Sequence, residues 1–271
     1  MKLGVFTVAC KEWDPIEAMD RVAAMGYDGV ELRVRDDKKD PINLSAEDVI
    51  ERADELKAKA KETGLEIPSI ASYVQSTDMD ASVRHLKACA AVGAKCVRIG
   101  SGNYQADGPP CWEQLQAAKK NYAEVAKQAA QLGVRAVIET HMGRLAPTVL
   151  GARMILDGLD PAHVGIMWDP ANQVREGHDR YDMAVDLAGH YMAEVHVKNT
   201  RFRAQDETGG RQPWKPEWAP LRKGIVDWPK VISLLKDSGY DGWLITEDFS
   251  NEEPLEQKLQ SGHDWLRELS G

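Results

Sequence analysis

The sequence predicts a closed (β/α)8 barrel, formed as a single domain over residues 1–271. Three observations carry that expectation. Short β-branched runs alternate with helix-period segments eight times along the chain. Several helical segments stop at a glycine just before the next strand (Gly26, Gly64, Gly93, Gly133, Gly239), the usual C-terminal stop signal. The length of 271 residues is close to the roughly 250 of a typical barrel of this kind. An open doubly wound sheet is the rival, but no GxGxxG or GxxxxGKS/T follows any strand.

In order, the strand "KLGVFTV" leads to the helix "DPIEAMDRVAAMGYD", and "GVELRV" to "SAEDVIERADELKAKAKETG". Next come "EIPSIASYV" with "ASVRHLKACAAVGA", and "CVRIGSG" with "EQLQAAKKNYAEVAKQAAQLG". The second half gives "RAVIETH" with "TVLGARMILDGL", "GIMWD" with "YDMAVDLAGH", "MAEVHVK" with "WPKVISLLKDSGY", and "GWLITED" with "PLEQKLQSGHDWLREL". The opening "MKLGVFTVAC" superficially resembles a lipoprotein signal ending at Cys10. Its apolar stretch is short and its charged region is one lysine, so it reads as a first strand.

Composition narrows the function. A hydrophobic share of 43% with 28% charged residues is ordinary for a soluble globular protein. No apolar run approaches the roughly 20 residues needed to span a bilayer, so no membrane partner is expected. A net charge of −9 argues against nucleic acid as partner, because nothing global favours a polyanion. Cys10, Cys89, Cys96 and Cys111 show no CxxC spacing and read as reduced thiols of a cytoplasmic protein.

The barrel turns four polar residues into one question. Active sites of this fold sit at the C-terminal strand ends, where alternate residues point inward. The fifth to eighth strands end on or near Glu139, Asp169, His196 and Glu247. Two residues back lie apolar Val137, Met167 and Ile245, as barrel filling should be, with Glu194 before His196 the exception. Taken singly, the two acids at 169 and 247 read as helix caps or surface acids, and His196 as a core histidine. Together, three carboxylates at one mouth repel one another and lose hydration, which calls for a cation. Three oxygen donors and one imidazole suit Mn²⁺ first, then Mg²⁺ or Co²⁺, and they also admit Zn²⁺.

The stretches "VIETHMGRL", "GIMWDPAN", "EVHVKN" and "GYDGWLITEDFS" resemble the sugar phosphate isomerase/epimerase group of xylose-isomerase-like TIM barrels, over essentially the whole chain. That group includes ketose 3-epimerases, hydroxypyruvate isomerases and inosose dehydratases. The resemblance implies that Glu139, Asp169, His196 and Glu247 bind one divalent metal ion, and that Glu139 and Glu247 are also catalytic, exchanging the substrate proton. It implies an isomerase or epimerase of a sugar or sugar-like hydroxy-ketone, working through a metal-stabilised enediolate. Dehydration of a keto-inositol type of substrate is the alternative.

Departures from the epimerase pattern are visible. A histidine three residues after the ligand aspartate is replaced by Asn172, and an auxiliary glutamate falls on Leu145. An epimerase arginine on the loop after the histidine strand has two counterparts, Arg201 and Arg203. Residues 199 to 224 show no regular pattern, and connections this long are often functional or mobile. Six basic residues there outnumber Asp206, Glu207 and Glu217, which suggests an anionic group on the substrate; a solvated loop or an oligomer contact is the bland reading. Glu31, His141, Asn172 and Lys198 complete the substrate-binding candidates. Trp13 reads as loop packing, and the remaining histidines are assigned nothing.

Two other classes compete with this reading. An endonuclease IV-like enzyme needs extra histidines on the third and fourth strands, and "SIASYV" and "CVRIGSG" offer none. A barrel that binds a small molecule without converting it is the other, and the intact ligand set argues against it. A homo-oligomer is in keeping with the resemblance.

Overall fold

Eight parallel strands close on themselves, and everything else is arranged around that ring. The computed structural model describes residues 1–37 and 43–271. The barrel strands are β1 (Lys2–Phe6), β2 (Gly29–Arg33), β3 (Ser69–Gln75), β4 (Cys96–Gly100), β5 (Arg135–Glu139), β6 (Val164–Trp168) and β7 (Met192–Val197). Two strands outside the ring, β8 (Asn199–Ala204) and β9 (Trp214–Ala219), precede the last barrel strand, β10 (Trp243–Thr246). Neighbours run β1-β10-β7-β6-β5-β4-β3-β2 and return to β1. The predicted (β/α)8 barrel is the observed fold.

Helices follow the strands as the sequence periodicity requires. They are α1 (Pro15–Ala24), α2 (Ala46–Glu51), α3 (Ala53–Thr63), α4 (Met79–Val92), α5 (Cys111–Leu132), α6 (Val149–Leu156), α7 (Pro170–Gln173), α8 (Tyr181–Ala188), α9 (Trp228–Asp237) and α10 (Leu255–Ser270). The segment read as one long second helix is two, divided at Arg52. Asp14 caps α1 by accepting from the backbone N–H of Ile16 and Glu17, with Pro15 at the first helical position. Gly64 and Gly133 end α3 and α5 in the left-handed conformation, which glycine adopts without steric cost.

The two faces of the barrel strands differ in chemistry. One set, including Leu3, Val5, Val30, Leu32, Ile70, Val97, Ile138, Ile166, Val195 and Leu244, joins the helices in one large apolar core. Burial of each such side chain contributes about 1.5–3 kcal/mol. The other set encloses only a small apolar cluster of Phe6, Val8, Ala71 and Ile245. Val137, Met167 and Ile245 are fully buried, as filling residues should be. Glu31, Ser69, Arg98, Glu194 and His196 are buried as well.

The stretch after β7 differs from expectation. Residues read as irregular form an antiparallel hairpin, with Arg201 opposite Glu217 and Arg203 opposite Lys215. Its strands carry little apolar alternation and include Pro216, and a two-stranded ribbon with mostly exposed faces leaves no hydrophobic period to read. Among the described residues no helix is long and apolar enough to cross a membrane.

Candidate metal centre

Strand register sets the height of each polar side chain. Glu139 pairs with Met167, Met167 with Glu194, and Glu194 with Trp243. Asp169 and His196 thus stand two residues beyond that row, and Glu247 four beyond it. Tilted strands in a barrel are staggered in this sense, which brings the successive positions to a common level. Donor atoms of Glu139, Asp169, His196 and Glu247 all lie within 4.8 Å of one another, and all four residues are buried.

Asp169 uses its two oxygens differently. Oδ1 accepts from the backbone N–H of Asn172 at 2.9 Å and caps the short α7. Oδ2 faces the cluster, 2.7 Å from Nζ of Lys198, with no aligned hydrogen bond among the described residues. The capping role and the site role belong to one carboxylate.

His196 stands at the centre. Nδ1 lies 3.7 Å from Oε1 of Glu139 and 3.6 Å from Oε2 of Glu247. Nε2 points the other way, 2.9 Å from Oε2 of Glu31, at ion-pairing distance though off the line of a hydrogen bond. Ser69 Oγ lies 3.1 Å from Oε1 of Glu31 and 2.8 Å from Oε1 of Glu194. Burial works against the imidazolium, yet Glu31 and Glu247 outweigh it and raise the His196 pKa well above its ordinary value. Glu194 moves up to about 8, chiefly by burial and then by the nearby charge of Glu31.

Two buried cations balance the acids. Lys198 contacts both Asp169 and Glu247. Arg98 reaches Oε2 of Glu139 through Nη1 at 2.5 Å and the Ser72 carbonyl through Nε at 2.8 Å. Burial pushes the Glu139 carboxyl up, but Arg98, Lys198 and His196 prevail and hold it below the ordinary carboxylate range. Glu247 is likewise lowered against burial, by Lys198 and His196. Asp169 goes the other way: burial dominates and raises it, despite Lys198.

The donor set suits a divalent cation. Metal–oxygen bonds of about 2.0–2.6 Å place two donors across one ion roughly 4–5 Å apart, close to the spread found here. Nδ1 of His196 and Oδ2 of Asp169 are buried polar atoms without an aligned hydrogen bond among the described residues, and a cation held there would engage Oδ2 and, once Nδ1 has lost its proton, the ring nitrogen as well.

The other candidates fall into three groups. Asn172 donates through Nδ2 to Oε1 of Glu139 at 3.0 Å, so it touches a cluster carboxylate directly. Glu31 lies beneath His196, Lys198 among the carboxylates, and His141 at the rim beside Glu139 and Arg98. Arg201 and Arg203 both pair with Glu217, and Arg201 also with Glu252. Trp13 is buried with the Arg21 guanidinium over its ring, in keeping with packing. The sequence reading missed Arg98 and Arg144, which line a cavity with Glu139 and His141. The available signal for Arg98 is an arginine inside the otherwise apolar "CVRIG".

Relatives share this frame. An inosose dehydratase of Lacticaseibacillus casei is 24% identical over 164 residues, 55% of this chain and 52% of that protein, so the chain spans about half that relative's length. A 3-keto-D-glucoside 4-epimerase from E. coli superposes with a TM-score of 0.74 at 19% identity, over 99% of each chain. The IOLI protein with a binding zinc atom superposes with a TM-score of 0.77 at 16% identity, over 100% of this chain and 98% of that one. At such identities the structural matches establish the fold alone. The family described as xylose isomerase-like TIM barrel matches residues 19–269, nearly the whole ring and its helices, and the chain belongs to that family.

Proposed function

We propose that this protein is a divalent-metal-dependent isomerase or epimerase that moves a proton beside the carbonyl of a sugar-like hydroxy-ketone. The observation that carries the reading is the convergence of Glu139, Asp169, His196 and Glu247 within 4.8 Å in a buried mouth. These four residues would hold the ion, with Mn²⁺ favoured by the oxygen-rich set. When bound, such an ion acts as a Lewis acid that polarises a carbonyl and acidifies the neighbouring C–H.

The chain's own groups do the rest. Glu139 and Glu247 flank the imidazole of His196 and are held ionised, so one can take a proton and the other can return one. Arg98 and Asn172 fix the two oxygens of Glu139, which limits its freedom to the geometry of the transfer. Lys198 brings a positive charge within reach of developing negative charge on substrate oxygen. Proton return at the original carbon gives epimerisation, and at the neighbouring carbon gives isomerisation.

Loss of water after the same proton abstraction is a second reading, favoured by the inosose dehydratase relatives. One screen tests both. Ketoses, keto-inositols and hydroxy-keto acids are incubated with the Mn²⁺-loaded protein in D2O. Deuterium at the carbon beside the carbonyl is expected, with loss of water marking the dehydratase. A substrate converted without either would end the proton-transfer reading.

A further inference from the structure

The two hairpin arginines that suggest an anion site are already paired. Arg201 and Arg203 are held by Glu217, and Glu252 takes Arg201 and Lys223. On the opposite side of the mouth Arg98, paired with Glu139, and Arg144 line one cavity. It encloses about 390 Å³ of unfilled space, part of it open to solvent, and Ser72, Arg98, Ser101, Glu139, His141 and Arg144 line it.

The two guanidiniums differ in how they are held. Arg98 is buried, pinned by the Ser72 carbonyl and Glu139, and its Cζ lies 4.6 Å from the Tyr73 ring centroid and 5.7 Å from that of Phe6. Such a clamp presents a fixed planar fork. Arg144 contacts Asn103 and forms no ion pair among the described residues. Partial burial and the positive charge of Arg98 both act against it. Among the described residues Glu139 is the only carboxylate lining the cavity, and it also belongs to the metal-facing set. With Arg98 paired to Glu139, the partly buried Arg144 leaves the cavity with an excess positive charge within a chain of net charge −9, and a ligand anion would offset it. Ser101 adds an independent sign: its Oγ is buried and has no hydrogen-bond partner among the described residues.

We propose that the Arg98–Arg144 cavity binds a carboxylate of the substrate, which makes the natural substrate a hydroxy-keto acid or sugar acid. The inference rests on the proton-transfer reading for the identity of the remaining substrate. A planar carboxylate matches the guanidinium fork two bonds at a time, and Ser101 supplies a further donor. Because Arg98 itself touches Glu139, the acid group sits beside the reacting hydroxy-ketone, not at the far end of a long chain.

Calorimetric titration of the Mn²⁺-loaded and the metal-free protein with glycerate, glycerol and inorganic phosphate tests this. Glycerate should bind more tightly than either of the others in the loaded protein. Arg144→Gln should weaken glycerate by about tenfold or more, the equivalent of a lost charged hydrogen bond, in both the loaded and the metal-free protein. It should leave Mn²⁺ affinity within about twofold, since Arg144 touches none of the four donors. Arg144→Lys should fall between Arg144→Gln and the native protein, and Lys215→Gln on the exposed hairpin should change nothing. Unchanged glycerate binding in Arg144→Gln, or tighter binding of phosphate or glycerol, overturns the proposal. Absence of Mn²⁺ binding would instead strike the metal reading, and the metal-free titration would still decide the carboxylate site.

Discussion

Nζ of Lys198 lies 2.7 Å from Oδ2 of Asp169 and also contacts Glu247, so a protein cation stands where the carboxylates converge. A metal ion held by these carboxylates would have to displace it. The ammonium already lies near the Trp218 and Phe249 rings, 5.2 and 5.6 Å from their centroids, and cation–π attraction gives it a place to go. Lys198→Met should therefore bind Mn²⁺ more tightly than the native protein while losing turnover. Competition against a chelator measures the first effect, and a weaker affinity in the variant would show that Lys198 is not a competitor.

Metal binding should depend on pH through His196. Glu31 and Glu247 raise its pKa against burial and favour the protonated ring in the metal-free protein, and a ligand nitrogen must be free of its proton. Affinity should thus climb with rising pH, by about tenfold per pH unit while one proton is released. Calorimetry in buffers of different ionisation enthalpy counts that proton. A flat profile between mildly acidic and neutral pH would contradict the assignment of Nδ1 as donor.

Glu31 orients the same imidazole from below, through Nε2 at 2.9 Å. Glu31→Gln keeps the shape but removes the charge that fixes the ring. Loss of such a support behind a metal-bound histidine costs about 10–100-fold in metal affinity. The same titration reads it, and native affinity in the variant would make Glu31 a bystander.

Glu247→Gln removes one of the two proposed proton carriers while keeping an oxygen near the cluster. Solvent deuterium exchange should fall by about 100-fold or more, the usual size of a general acid–base contribution. Unchanged exchange at saturating Mn²⁺ would take Glu247 off the catalytic list.

Glu194 links folding to pH. Its pKa is raised from 4.5 to about 8 in the folded protein, so its stabilising contribution is complete below the unfolded value and fades as pH climbs through the folded one. Urea unfolding of the metal-free protein should therefore show stability slipping between pH 5 and about 8, relative to Glu194→Gln. Parallel curves for the two proteins would contradict the shift.

The barrel was legible because its signals repeat: each strand is short and β-branched, and Gly64 or Gly133 closes the helix before the next. The set Glu139, Asp169, His196 and Glu247 was legible because strand ends of this fold share one mouth. What escaped depends on partners distant in sequence. Nothing local to "CVRIG" says that Arg98 reaches Glu139, 41 residues on. Nothing in "NTRFRA" reveals that Glu217 and Glu252 absorb its arginines. Composition counts charges, whereas pairing decides which of them remain available to a ligand.

Asp169 ties architecture to chemistry through the two oxygens of a single carboxylate, one closing the turn at Pro170–Gln173 and one turned to the cluster. Such sharing narrows the paths open to evolutionary drift. A change to asparagine or serine would leave the turn intact and disable the mouth, whereas alanine would loosen both at once. On the proposed reading, a descendant barrel that gave up the ion while keeping its shape would be expected to retain a short polar residue at this position, a lasting imprint of the older task.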